Sequence, residues 1–154
     1  MESALPLSLT LTIFLASIGV AGCGGNIPAS PPTPVVSDLT GTWTQVGGTR
    51  TWTLTQGGLQ AGGPSSFSQD DNPSFGAVTG SGGVMGAIVF GAFTFGETYE
   101  RLSGPSLPSQ SCYIDVSGQL AITGNSMTGS YTEVDACAGV HLGQFTTTLT
   151  MQRK

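Results

Sequence analysis

Few residues in this chain could do chemistry, and most of those stand alone. Cys137-Ala-Gly-Val-His141 has the Cys-x3-His spacing of a zinc site, with Cys112 as a possible third ligand. Zinc is held by three or four convergent protein ligands. His141 is the only histidine, however, and a disulfide would consume both thiols. Asp70-Asp71-Asn72 offers oxygens to calcium, yet the spaced acids and terminal glutamate of a calcium loop are missing. An acidic turn before Pro73 is the expectation. Gly104-Pro-Ser-Leu-Pro108 fails the nucleophile-elbow pattern at its last position. His141 could serve a serine with Asp135 or Glu133 orienting it, but the order of residues does not bring them together. Glu97 and Glu100 lie beside Arg101 and are expected to form a solvated strand end rather than the paired acids of a sugar hydrolase. Gly80-Ser-Gly-Gly-Val-Met-Gly86 lacks the Gly-Lys-Ser/Thr ending of a phosphate loop and is expected to be a flexible connection between strands. No catalytic residue, metal or cofactor is expected.

Aromatic side chains are the other chemical resource. Trp43, Trp52, Tyr131 and Phe145 head a set of residues that could fill a core or line a cavity for a small apolar ligand. Small eight-stranded barrels do either.

Cys23 is different, because its neighbours give it a role. Residues 5–20 form an apolar run, with Ile13, Phe14 and Leu15 at its centre. The run is shorter than the roughly 20 residues a membrane-crossing helix needs and has the length of a signal-peptide core. It ends in Val20-Ala21-Gly22-Cys23. This resembles the bacterial lipobox, an aliphatic residue and two small ones ahead of a cysteine. The resemblance implies diacylglycerol on the Cys23 thiol, cleavage before it and acylation (palmitate or a similar chain) of the new amine. It departs from the pattern in one respect: Glu2 is present and no Lys or Arg precedes the run. Gly24 rather than Asp follows the cysteine, which favours the outer membrane where the host has two.

The organisation then follows. Residues 1–22 are expected to be a lipoprotein signal peptide and residues 23–38 a lipidated start and tether. Pro28, Pro31, Pro32 and Pro34 favour extended polyproline geometry there. Residues 39–154 are expected to form one domain. Charged residues make up 8% of the chain and the formal net charge is −5, so there is no basic footprint for nucleic acid.

From Leu39 onward the apolar pattern has period two. Trp52 and Leu54 alternate with threonines, as do Phe145, Leu149 and Met151, while Ile114, Val116, Leu120 and Ile122 share a face with Gly118 as a kink or bulge. With 24 glycines punctuating these runs, an all-β fold is expected. Eight strands are expected near 41–46, 50–56, 76–80, 84–90, 92–99, 112–122, 127–132 and 144–151, with turns at Gly82-Gly83 and near Gly91. Residues 60–74 and 101–111 are expected to be long loops. An even set of meander strands suits an antiparallel up-and-down barrel, which leaves no edge; a β-sandwich is the alternative. Gly41-Thr-Trp43 resembles the Gly-x-Trp opening of lipocalin-like (calycin) barrels, in which the first strand's Trp packs across the closed end.

With Cys23 lipidated, Cys112 and Cys137 remain to form a disulfide in an oxidising envelope. It would close a loop of about 26 residues, stabilising by roughly 3–4 kcal/mol on the chain-entropy model. The functional expectation is a bacterial envelope lipoprotein, held to a membrane through Cys23. Its domain is expected to be a non-catalytic structural or interaction module meeting an envelope protein, or a binder of a small apolar ligand.

Overall fold

The computed structural model describes residues 37–154. Residues 1–36, which hold the expected signal peptide, Cys23 and most of the expected tether, lie outside the described residues. Eight antiparallel strands follow in order: β1 Gly41–Gln45, β2 Thr51–Gly57, β3 Gln60–Asn72, β4 Gly76–Val89, β5 Ala92–Ser103, β6 Cys112–Thr123, β7 Ser126–Cys137 and β8 Val140–Arg153. Each pairs with the next, and β1 pairs with β8 through Trp43↔Arg153, Thr44↔Gln152 and Gln45↔Met151. The ring is closed, so the sandwich alternative falls.

Residues of one parity on each strand point inward. Trp43, Trp52, Leu54, Phe93, Leu120, Met127, Leu149 and Met151 are all essentially inaccessible to solvent. Trp52 lies 6.2 Å from the Phe93 ring and 4.9 Å from Phe95. Each such side chain contributes on the order of 2–3 kcal/mol by leaving water. Ile114 and Val116 are buried as the alternation predicts. Cys112 and Cys137 face each other as a ladder pair of β6 and β7 and form a disulfide.

The strand count agrees with the sequence, but through two errors that cancel. Residues 60–72, expected to be loop, form β3, and the two strands expected at 76–80 and 84–90 are the single strand β4. Gly82-Gly83 is therefore not a turn. A Cβ at Gly82 would lie 1.9 Å from the Thr98 carbonyl oxygen, and one at Gly63 would lie 2.0 Å from that of Thr53. Glycine is used here because backbones pass too close for a side chain. Pro64 lies within β3; the β2–β3 ladder pairs Trp52↔Ser65 and Thr55↔Gly62 and skips the positions between, as a residue without an N–H requires. Gly118 sits in an unbroken ladder opposite Tyr131 and makes no bulge. The turn near Gly91 stands where the sequence puts it, while the loop expected at 101–111 begins only after Ser103, because residues 101–103 continue β5.

The ends of the barrel differ. Residues 37–40 enter at the end formed by the β2–β3, β4–β5 and β6–β7 turns, termed the entry end; the β1–β2, β3–β4, β5–β6 and β7–β8 connections form the far end. Trp43 is buried toward the entry end, where its indole Nε1 donates to the Leu39 carbonyl at 2.8 Å.

Candidate functional site

Strand length creates the site. β1 and β2 have 5 and 7 residues, whereas β3 to β8 have 12 to 14. The short β1–β2 hairpin therefore closes only the entry half of the ring. Its pairing with β8 ends where Val46 N donates to Thr150 O at 2.8 Å, and its pairing with β3 ends at Thr51↔Ser66. Thr49 prolongs the second ladder by one step, its Oγ1 accepting from Ser68 N at 2.7 Å. Beyond these points a slit separates β3 from β8. It opens as a cleft of about 230 Å³ lined by Gln69, Asp71, Pro73, Tyr131, Glu133, Phe145 and Thr147.

Beneath the slit lies a buried ion network. Arg50, immediately before β2 and 2% exposed, has the parity of Trp52 and Leu54 and so points inward. Its Nε donates to Tyr99 Oη at 3.2 Å and lies 3.4 Å from Glu97 Oε2, and its Nη2 donates to Glu133 Oε2 at 3.5 Å. The guanidinium sits 4.7 Å from the centre of the Tyr131 ring. Trp52 Nε1 donates to Glu97 Oε1 at 2.6 Å, and the Tyr99 hydroxyl donates to the same oxygen. Asn72 ties the β3–β4 turn to this group. Its Oδ1 accepts from Ser74 N and Phe75 N, each at 2.9 Å, while its Nδ2 donates to Glu133 Oε1 at 3.1 Å.

Two carboxylates, Glu97 and Glu133, lie against one guanidinium, and a third, Asp135, lies two residues further along β7 on the same face. Asp135 is fully buried, and neither of its oxygens has a hydrogen-bond partner among the described residues; Arg50 Nη1 is likewise unpartnered. Burial pushes the Glu133 carboxyl above the ordinary range, partly offset by Arg50 and reinforced by Asp135. Burial does the same to Asp135, opposed by the nearby polar side chains of Ser74 and Asn72, which approach its carboxylate without reaching hydrogen-bond geometry. The Tyr99 hydroxyl is also raised, first by burial and then by the Glu97 charge. Such a network fixes side chains and fills space.

Several expectations meet this geometry. Glu97 is not a solvated strand end but 2% exposed at the centre of the network, while Glu100 and Arg101 are exposed. Cys137 is in the disulfide and His141 is exposed on β8, so the Cys-x3-His pair does not converge on a metal. Among the described residues no group of three or more His, Cys, Asp or Glu is placed to hold a metal ion. His141 is exposed and is not a hydrogen-bond partner of buried Asp135. Asp70 and Asp71 are exposed, and Asn72 is turned inward. Of the four aromatics singled out, Trp43 and Trp52 are core, Tyr131 is buried under the slit, and half-buried Phe145 lines it. Arg50, Asn72, Glu97, Glu133 and Asp135 were not expected to act together. A second, larger depression of about 790 Å³ lies on the outer wall over Pro64, Gly83, Met85 and Gly96; Ser65, whose buried Oγ has no hydrogen-bond partner among the described residues, is also in its lining.

Comparison with known proteins gives no matching family model, no matching curated sequence and no matching solved structure.

Proposed function

We propose that the chain is an envelope lipoprotein, cut before Cys23 and acylated there, whose barrel is a non-catalytic interaction module. The lipobox-like Val20-Ala21-Gly22-Cys23 supports the anchor. The observation that carries the second half is the Arg50–Glu97–Glu133 network. It occupies the part of the interior beneath the slit, while Trp52, Phe93 and Phe95 occupy the rest. What the barrel presents to other molecules is therefore its outside. The slit adds an unpaired β8 edge above Thr150, and an exposed edge is a template for a partner's extended segment.

Small-ligand binding is the second reading, and the slit is the place for it. The cleft of about 230 Å³ falls below the roughly 300–1,000 Å³ usual for such sites. Its floor is charged, which disfavours an apolar guest.

Intact-mass and native mass spectrometry of protein taken from its bacterial envelope test both halves. The expected result is a chain beginning at an acylated Cys23 with no retained small molecule. A bare thiol or an uncut leader overturns the anchor; a retained apolar compound overturns the interaction reading in favour of the second.

A further inference from the structure

Both ends of the barrel expose apolar side chains, Val46, Val140 and Leu142 at the far end, but the most exposed of all, Phe90, stands at the entry end. Leu59, in the β2–β3 turn, is 57% exposed; Val89 and Phe90, at the β4–β5 turn, are 44% and 105% exposed. The two tips are neighbours, since Ile88 N donates to the Leu59 carbonyl at 2.7 Å. Phe90 and Gly91 take φ of 50° and 78°, the left-handed pair of a type I′ turn, where Asn, Asp or Gly is the ordinary first residue. A phenylalanine there carries backbone strain and gains nothing by burial in its own fold. Such an exposed apolar tip marks a surface that meets something apolar.

Charge and connectivity choose the partner. The far end holds Asp70, Asp71 and Glu100 against Arg101, whereas the entry end holds Asp38, Arg153 and Lys154. Asp38 and Arg153 pair with each other at 3.7 Å, so the entry end lacks the acidic excess of the far end. The described chain also begins at this end. Residues 24–37, fully extended as polyproline, reach roughly 43 Å. Tilted strands of 12 to 14 residues make the barrel itself about 30–35 Å long. Bringing the far end to the surface that holds Cys23 would consume nearly the whole reach, whereas the entry end needs almost none.

We propose that the entry end rests on the lipid bilayer, with Leu59, Val89 and Phe90 seated in its interfacial layer. This rests on acylation of Cys23; the tips then turn a loose tether into a fixed orientation, with the slit facing away from the membrane.

The test uses the full chain from a bacterial envelope, reconstituted into phosphatidylcholine vesicles brominated on the acyl chains. A Phe90→Trp variant is compared with Val140→Trp, which reports from the 62%-exposed residue at the far end. Both positions are exposed, so neither substitution disturbs the core, and the unsubstituted protein supplies the Trp43 and Trp52 baseline. Emission added by Phe90→Trp is expected to fall at least twofold on reconstitution, with that of Val140→Trp unchanged. Equal quenching of the two, or none at Phe90→Trp, in protein whose mass shows an acylated Cys23 overturns the orientation and leaves the anchor standing. A bare Cys23 overturns the anchor and this inference with it.

Discussion

Trp52 and Glu97, from β2 and β5, meet across the barrel interior in a hydrogen bond of 2.6 Å between the indole N–H and the carboxylate. The bond joins the apolar half of the core to the ionic half, because the same carboxylate lies 3.4 Å from Arg50 Nε. Removing one partner of a buried ion pair strands the others, at a cost of about 3–5 kcal/mol. Arg50→Ala is expected to lose that much in urea unfolding followed by tryptophan emission. Arg50→Lys recovers only part of it, since one ammonium cannot replace a planar fork that reaches Tyr99, Glu97 and Glu133 together. A loss under 1 kcal/mol for Arg50→Ala would mean that the network carries no weight in the fold.

The acids beside Arg50 set a dependence on pH. Glu133 and Asp135 both have raised pKa values in the folded protein, chiefly from burial. Each holds its proton more tightly folded than unfolded. Their contribution is full below the ordinary carboxyl range and is lost as pH rises through the raised values. Thermal unfolding at a series of pH values between 8 and 4.5 is expected to show the midpoint rising toward the acid side. Asp135→Asn should raise stability at pH 8 and flatten the profile. An unchanged slope in that variant contradicts the assignment.

Sequence parity held more of this site than motif reading extracted. Arg50 shares the phase of Trp52 and Leu54, Glu97 that of Phe93, Phe95 and Tyr99, and Glu133 that of Tyr131. Each charge thus stood on a face marked as inward by its own neighbours. That the three charges lie at one height of the ring depends on register across β2, β5 and β7, which no single strand encodes. The closed all-β ring was legible because the alternation of β2, β6 and β8 is clean. β3 was not: its inward positions include Ala61, Gly63 and Ser65, and small residues there leave no apolar stripe. β4 looked broken because Gly82-Gly83 resembles a turn, whereas Gly82 makes room for the Thr98 carbonyl of the neighbouring strand, as Gly86 does for that of Thr94.

Glycine positions separate on this basis. Gly63→Ala and Gly82→Ala drive a methyl group against a backbone carbonyl and are each expected to cost about 1–3 kcal/mol. Gly96→Ala meets nothing within 4 Å and is expected to be neutral or to stabilise by about 0.5 kcal/mol. Denaturant midpoints of the three variants check the order; equal losses at all three would remove the close-approach explanation.

The disulfide makes a separate prediction. Cys112 and Cys137 already face each other in the β6–β7 ladder, so reduction removes a constraint on the unfolded chain more than a contact in the folded one. The Cys112→Ser/Cys137→Ser double variant is expected to keep the barrel, with unchanged circular dichroism, and to lose about 3 kcal/mol. Loss of the β signal would show instead that the bond is needed to form the ring.

The seam between β1 and β8 has a mechanical meaning. Any pull on the chain ahead of Ser37 is delivered to β1, the shortest strand, which meets β8 through only three residue pairs. Around that seam Leu39 N is held by Gln56 Oε1 at 2.6 Å, and Arg153 grips the Asp38 and Thr40 carbonyls. These few bonds act as a strain relief, so that tension reaching the wall is spent on a clasp at its rim before it reaches the ionic centre. When the clasp yields, the cylinder opens along one line into a curved sheet whose eight strands stay laced in sequence.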